Sequence, residues 1–142
     1  METLEQTPLL ETCRELLAME RGAFETYTEA LEFYGDPLQA ILLSIRSAHD
    51  SNLDFLADQV GSSSEPELGV DRFSGAVGGT SIVFGEGAAL MALEAGENQL
   101  AEAYARAISD PRLPRYLRDE LRNRLLPLIK ANLMELEMAR FS

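Results

Sequence analysis

The chain has 142 residues, of which 46% are hydrophobic and 25% are charged, a balance that is typical of one globular domain and excludes a disordered chain. Acidic residues number 24 and basic residues 12, which gives a formal net charge of -12. Such a charge repels phosphate backbones, so we expect no nucleic-acid partner. Cys13 is the only cysteine, and an internal disulfide bond is therefore excluded.

The first residues, Met-Glu-Thr-Leu-Glu-Gln, have neither the basic nor the apolar region of a signal peptide. No apolar run approaches the roughly 20 residues that a membrane-spanning helix needs. We therefore expect no membrane partner and a cytoplasmic location.

The first predicted helix covers residues 8–34. Thr7 suits the capping position, Pro8 suits the first helical position, and Gly35 suits the end. Inside this range two rows of residues repeat with a spacing of seven, which predicts one buried seam. The rows are Cys13, Glu20, Tyr27 and Leu17, Phe24, Leu31.

The second predicted helix covers residues 37–60. The segment Asp36-Pro37-Leu38-Gln39 has a capping-box pattern, and the turn before it is so short that this helix must run antiparallel to the first. Its two seam rows are Leu38, Ile45, Asn52 and Leu42, His49, Leu56.

Residues 61–87 form a predicted crossover between the second and third helices. Its first part, Gly61-Ser62-Ser63-Ser64-Glu65-Pro66, is a loop by composition. The remainder is rich in glycine but contains apolar residues, so we predict a packed connection. An alternative is that Phe73, Ile82 and Phe84 expose an apolar strip through which the chain forms a homo-oligomer or binds a partner helix.

Two further helices are predicted, over residues 88–108 and 114–138, with Ser109-Asp110-Pro111 between them. Pro127 falls inside the last helix, so we expect a kink there. The third helix has the seam rows Leu90, Glu97, Tyr104 and Leu93, Leu100, Ala107. The residues predicted to face inward from the fourth are Leu117, Leu121, Leu125, Leu128 and Leu133.

The first and third helices share a short repeat, because Glu20, Tyr27 and Leu31 have the same spacing as Glu97, Tyr104 and Ile108. Two similar helix pairs joined by a long crossover are typical of ferritin-like proteins. The sequence therefore predicts an all-α fold: a single domain, residues 1–142, that is an antiparallel four-helix bundle of ferritin-like type.

Three polar residues, Glu20, His49 and Glu97, occupy seam positions where apolar residues are expected. Each lies near the middle of its predicted helix, so all three should reach a similar depth in an antiparallel bundle. A carboxylate buried alone costs several kcal/mol and normally needs a cation or hydrogen-bond donors. Two carboxylates and an imidazole at one place are therefore a candidate metal site.

Three short segments resemble small bacterial ferritin-like proteins of unassigned function: Met19-Glu20-Arg21-Gly22-Ala23-Phe24, His49-Asp50 and Ala95-Gly96-Glu97. The resemblance covers about residues 9–136. Ferritin-like dimetal proteins use one Glu from each of two helices and a Glu-x-x-His pair from each of the other two. The resemblance implies that Glu20 and Glu97 are the lone glutamates and that His49 is the histidine of the second helix.

The chain also departs from that pattern. Arg46 stands three residues before His49, where a bridging Glu is expected, and the chain has no second histidine. On the fourth helix the corresponding place is taken by Ile129 and Asn132, or by Leu128 and Leu133 in a shifted register. The sequence therefore predicts that a two-metal, oxygen-activating centre has been lost.

Two explanations of how the buried glutamates of the seam are neutralised remain open. In the first, Arg46 replaces the metal by pairing with Glu20 and Glu97, unless it extends to solvent instead. In the second, Glu20, His49 and Glu97 hold a single metal ion. We favour a non-catalytic structural or interaction protein with no cofactor and at most weak metal binding. The alternative is an iron- or manganese-dependent oxidase, or an iron-binding protein, that uses the reduced Glu/His/Glu set.

Overall fold

A computed structural model describes residues 6–61 and 85–141, and 87% of these residues are helical. The described ranges contain four helices and no strand, so the protein is all-α as predicted. No helix in these ranges combines the length and the apolar character needed to cross a membrane.

The helices have bounds close to the predicted ones. They are α1 (Gln6–Ala30), α2 (Leu38–Val60), α3 (Glu86–Ile108) and a fourth helix, α4, in three consecutive segments: α-helical Arg115–Glu120, π-helical Leu121–Leu125 and α-helical Leu126–Phe141. The helix α2 ends, as predicted, at Gly61, whose φ of 80° lies in the left-handed region that glycine adopts without strain.

The connection between α1 and α2 differs from the prediction in two ways. The helix α1 ends at Ala30 and not at residue 34, because the chain tightens into a turn in which the Phe33 N–H donates to the Ala30 carbonyl. The predicted capping box is wrong. Pro37 takes the N-cap position and has no side-chain acceptor, so the Gln39 N–H donates to the Gly35 carbonyl instead.

The core consists of two apolar clusters, and each contains residues from all four helices. The first cluster includes Leu16 of α1, Leu56 of α2, Leu100 of α3 and Leu121 of α4. The second, at the other end of each helix, is built from Ala23, Tyr27, Ala30, Leu38, Leu42, Ile45, Leu90, Leu93 and Leu136. Because apolar burial is the main favourable term in folding, these clusters supply most of the stabilisation.

Buried polar residues lie between the two clusters along every helix. We call them the polar layer: Glu20 on α1, His49 and Asn52 on α2, Glu97 on α3 and Asn132 on α4. On α1, for example, Met19 belongs to the first cluster, Glu20 to the polar layer and Ala23 to the second cluster. The layer is therefore enclosed by apolar side chains.

The sequence predicts a kink at Pro127, and an irregular helical segment lies just before this residue. Immediately before Pro127 the helix widens into the π-helical turn, in which the Leu126 N–H donates to the Leu121 carbonyl. Leu117, Leu121, Leu125 and Ile129 follow one another at intervals of four, and in a regular α-helix each interval would rotate the side chain by about 40°. The wider turn holds more residues per revolution, so all four side chains remain buried.

This turn settles the register of α4, which the sequence left open. Ile129 and Asn132 are buried, whereas Leu128 and Leu133 are only half-buried, so the prediction that these two leucines face inward was wrong.

Most of the predicted crossover, residues 62–84, lies outside the described residues. The apolar strip suggested for self-association lies there too.

Two adjacent leucines of α2 offer a test of the packing. Leu42 is 0% exposed in the second cluster, whereas Leu43 beside it is 44% exposed. We expect Leu42→Ala to lower the free energy of unfolding by about 2–5 kcal/mol, because it removes buried methyl groups and leaves a cavity. Leu43→Ala should cost less than about 1 kcal/mol. Urea denaturation of both variants makes the comparison, and equal losses would contradict this placement of α2.

Candidate functional site

His49 joins the two buried glutamates. Its Nδ1 lies 2.5 Å from Glu20 Oε1, and its Nε2 lies 2.6 Å from Glu97 Oε2. All three side chains are 0% exposed. The structure therefore brings together the three residues that the sequence singled out, from α1, α2 and α3.

The two contacts of His49 favour the protonated form of its ring. A neutral imidazole has one N–H and donates a hydrogen bond from only one ring nitrogen. Here each ring nitrogen faces a carboxylate oxygen, and two donated hydrogen bonds require the doubly protonated, cationic ring. A protonated His49 ring can therefore donate to Glu20 and to Glu97 at the same time.

The electrostatics agree with this geometry. Burial alone lowers the pKa of His49, because the apolar interior disfavours a charged ring. The charges of Glu97 and Glu20, together with their hydrogen bonds, outweigh burial and raise the pKa to about 10. The ring is therefore protonated at neutral pH.

Glu20 receives further hydrogen bonds from two other helices. The Tyr104 hydroxyl donates to Glu20 Oε2 at 2.5 Å, and the Asn52 amide nitrogen donates to the same oxygen at 2.9 Å. The Asn52 amide nitrogen also lies 3.3 Å from the Leu125 carbonyl of the π-helical turn. Both carboxylate oxygens of Glu20 therefore accept hydrogen bonds.

Glu97 has an equivalent set of donors. The Tyr27 hydroxyl donates to Glu97 Oε2 at 2.8 Å, and the Asn132 amide nitrogen donates to Glu97 Oε1 at 3.1 Å. The Tyr27 ring is also stacked on the His49 ring, with centroids 5.4 Å apart. Burial, followed by the adjacent carboxylate charge, raises the pKa of both Tyr27 and Tyr104 well above the usual value, so both phenols remain neutral donors.

The donors repeat across the molecule. Tyr27 of α1 reaches Glu97 of α3, and Tyr104 of α3 reaches Glu20 of α1. Asn52 follows His49 by three residues on α2, and Asn132 follows Ile129 by three residues on α4. The two halves thus present the same pattern to the polar layer, except that Ile129 stands where the other half has His49.

The polar layer is saturated with hydrogen bonds. Every carboxylate oxygen of Glu20 and Glu97 accepts from a nitrogen or a hydroxyl. In the described part of the chain, the buried side-chain atoms without a partner are Arg21 Nε and Arg118 Nε, and neither belongs to the layer. The tyrosine and asparagine donors add to the hydrogen bonds between His49 and the two glutamates.

Arg46 does not fill the site, so the first of the two alternatives, in which it replaces the metal, is wrong. Its guanidinium donates to the Thr28 hydroxyl at 3.2 Å and lies 5.4 Å from the centre of the Phe24 ring. The side chain lies on the outer side of the α1–α2 pair, one turn of helix before the buried His49. Since the carboxylates already have enough donors, no arginine is needed there.

The alternative of a metal held by Glu20, His49 and Glu97 stays a prediction, but the described geometry does not fit it. A ligating imidazole offers a lone pair to the metal, whereas both His49 nitrogens point at carboxylate oxygens within hydrogen-bonding distance. No group of three His, Cys, Asp or Glu side chains within the described ranges is arranged to hold a metal ion. The three residues are close together as a hydrogen-bonded chain.

Sequence reasoning missed the role of Asn52. The signal was present, because Asn52 occupies a seam row with Leu38 and Ile45, and a buried amide needs a partner just as a buried carboxylate does. Cys13, by contrast, is in the first cluster, as expected for a small core residue. Burial raises the pKa of its thiol to about 12, which makes it a poor nucleophile.

Comparisons of the chain with protein-family models, with curated proteins and with solved structures gave no match. The ferritin-like resemblance therefore rests on the short sequence segments alone and stays a prediction.

The charge state of His49 can be observed directly, because the chain has only this histidine. We expect NMR chemical shifts of the imidazole carbons and nitrogens to show a protonated ring in the folded protein at pH 8. The same protein in concentrated urea is the control, and its ring should titrate near the ordinary value of 6.5. A neutral ring in the folded protein at pH 8 would contradict the network.

The stability of the fold should fall as the pH rises. Because folding raises the pKa of His49, its contribution is complete below about 6.5 and is lost as the pH passes about 10. Folding also raises the pKa of Tyr27 and Tyr104, so both residues lower the stability further once the pH exceeds their usual pKa of 10. We expect the free energy of unfolding to decrease by on the order of several kcal/mol between pH 7 and pH 10. Urea denaturation at a series of pH values measures this change, and a flat or rising profile would oppose the assignment.

Proposed function

We propose that the chain is a ferritin-like bundle in which a hydrogen-bonded Glu–His–Glu network takes the place of the dimetal centre. In this proposal the protein is non-catalytic and acts as a structural or interaction protein. The observation that carries it is the imidazolium of His49, held at 2.5 Å from Glu20 and 2.6 Å from Glu97.

The composition of the first apolar cluster supports the ferritin-like arrangement. It combines the first half of α1 with the last residues of α2, for example Leu16 with Leu56, as an antiparallel pair requires. It also combines the last residues of α3 with the first half of α4, for example Leu100 with Leu117. In this order α2 and α3 run parallel, and consecutive parallel helices need a long connection such as the predicted crossover.

Saturation of the polar layer supports the absence of catalysis. A catalytic metal keeps an open coordination position, and a general acid or base must reach its substrate. Here the acidic and basic groups are 0% exposed and contact one another. The network is better suited to holding the helix pairs together, because its hydrogen bonds form only when α1, α2, α3 and α4 meet in one register.

Metal content tests this proposal. Protein purified without chelator should contain metal far below stoichiometry, and its melting temperature should not change with chelator or with added iron or manganese. Glu97→Ala should lower the free energy of unfolding by about 3–5 kcal/mol in either condition, because it leaves His49 Nε2 and the Tyr27 hydroxyl without a buried acceptor. Mass spectrometry for metals and thermal unfolding provide the two measurements.

Glu102→Ala is the matched control, since Glu102 is an exposed glutamate on the same helix as the buried Glu97. It should affect neither measurement. Near-stoichiometric iron or manganese that is lost in Glu97→Ala but kept in Glu102→Ala would overturn the proposal. That result would favour the metal-dependent oxidase or iron-binding protein instead.

A further inference from the structure

We infer that Asn52 and Asn132 are the residues that keep divalent cations out of the polar layer. The inference rests on the proposed function and adds a determinant of specificity to it. The two asparagines are 1% and 4% exposed, and each directs its side chain at a different glutamate.

The orientation of Asn52 is fixed by its neighbours. Its amide nitrogen lies between two acceptors, Glu20 Oε2 at 2.9 Å and the Leu125 carbonyl at 3.3 Å. The amide oxygen placed there would face only other oxygens. The nitrogen of Asn132 faces Glu97 Oε1 at 3.1 Å in the same way.

Each of these amide groups therefore donates a hydrogen bond to a carboxylate that a cation would otherwise neutralise. A bound divalent cation needs several oxygen or nitrogen lone pairs directed at one point. An N–H donor directed at the same carboxylate occupies one of its lone pairs and offers none in return. With a donor at each glutamate, the layer is satisfied without a metal.

Aspartate has almost the same shape as asparagine but replaces the N–H donors by negatively charged oxygen. At position 52 that oxygen would face the Glu20 carboxylate and the Leu125 carbonyl, and at position 132 it would face Glu97. Two such changes add two acidic groups to a buried layer that already contains two glutamates. The one histidine of the layer would then be accompanied by four carboxyl groups, which leaves the layer short of positive charge.

Carboxylate oxygen atoms suit a hard cation of charge two, such as Mn²⁺. Asn52 and Asn132 are the polar-layer positions at which a single atom, nitrogen or oxygen, decides between a donor and a ligand. Ile129, the apolar counterpart of His49, lacks any such atom.

The test compares the double variant N52D/N132D with the wild-type chain. Both are purified without chelator and titrated with Mn²⁺, and bound metal and melting temperature are measured. We expect the double variant to bind about one ion per chain and to retain at least about tenfold more Mn²⁺ than the wild type, with a melting temperature that rises with metal concentration. The wild type should show neither effect.

N52L/N132L is the matched control, because leucine has a similar volume and removes the same hydrogen bonds without adding charge. It should bind no more Mn²⁺ than the wild type. If the double aspartate variant does not fold without metal, refolding in Mn²⁺ and the single variant N132D provide the same comparison, since N132D leaves Asn52 in place.

The outcomes separate this inference from the proposed function. A wild-type chain that already holds stoichiometric metal overturns the proposed function and this inference with it. A metal-free wild type beside metal-free aspartate variants overturns only the inference, since the added carboxylates would then share protons. Equal Mn²⁺ binding by the aspartate and leucine variants overturns it as well.

Discussion

The structure depends on one buried cation placed between two buried anions. Transferring any of these groups alone into an apolar interior is costly, so Glu20, His49 and Glu97 are tolerated only together and only with additional donors. The hydroxyl of Tyr104 and the amide of Asn52 stabilise one carboxylate, and equivalent groups stabilise the other. Removal of any member leaves a charge or a polar atom unsatisfied between two apolar clusters.

This requirement also constrains the helices. The hydrogen bonds join α1 to α3 through tyrosines, and join α2 and α4 to the glutamates through asparagines. An apolar core of leucines tolerates a shift of one helix along another, because most alternative contacts are also favourable. A network of directional bonds does not tolerate such a shift. The polar layer therefore specifies one arrangement of the four helices, and the apolar clusters supply the bulk of the stabilisation.

The proposed relation to dimetal ferritin-like proteins raises the question of how two buried glutamates are neutralised. Buried glutamates can be neutralised by metal ions or by protons carried on a neighbouring base, and the two solutions need different partners. Here the partners around both glutamates are donors: one imidazolium, two phenols and two amides. In the proposed ferritin-like relationship, the same helix positions serve a metal centre in one case and a hydrogen-bonded network in the other, depending on a few neighbouring side chains.

The sequence alone determined the helices and the buried positions of Glu20, His49 and Glu97, because helical periodicity is a local property that a spacing of seven residues reveals. It did not determine which atoms meet. That depends on the rotation and the depth of each helix against the others, and both are set by packing. The tertiary structure alone placed both nitrogens of His49 on carboxylates and Arg46 outside the layer. It also decided the register of α4, in which Asn132 is buried, because the π-helical turn is a backbone irregularity that a spacing of seven residues does not reveal.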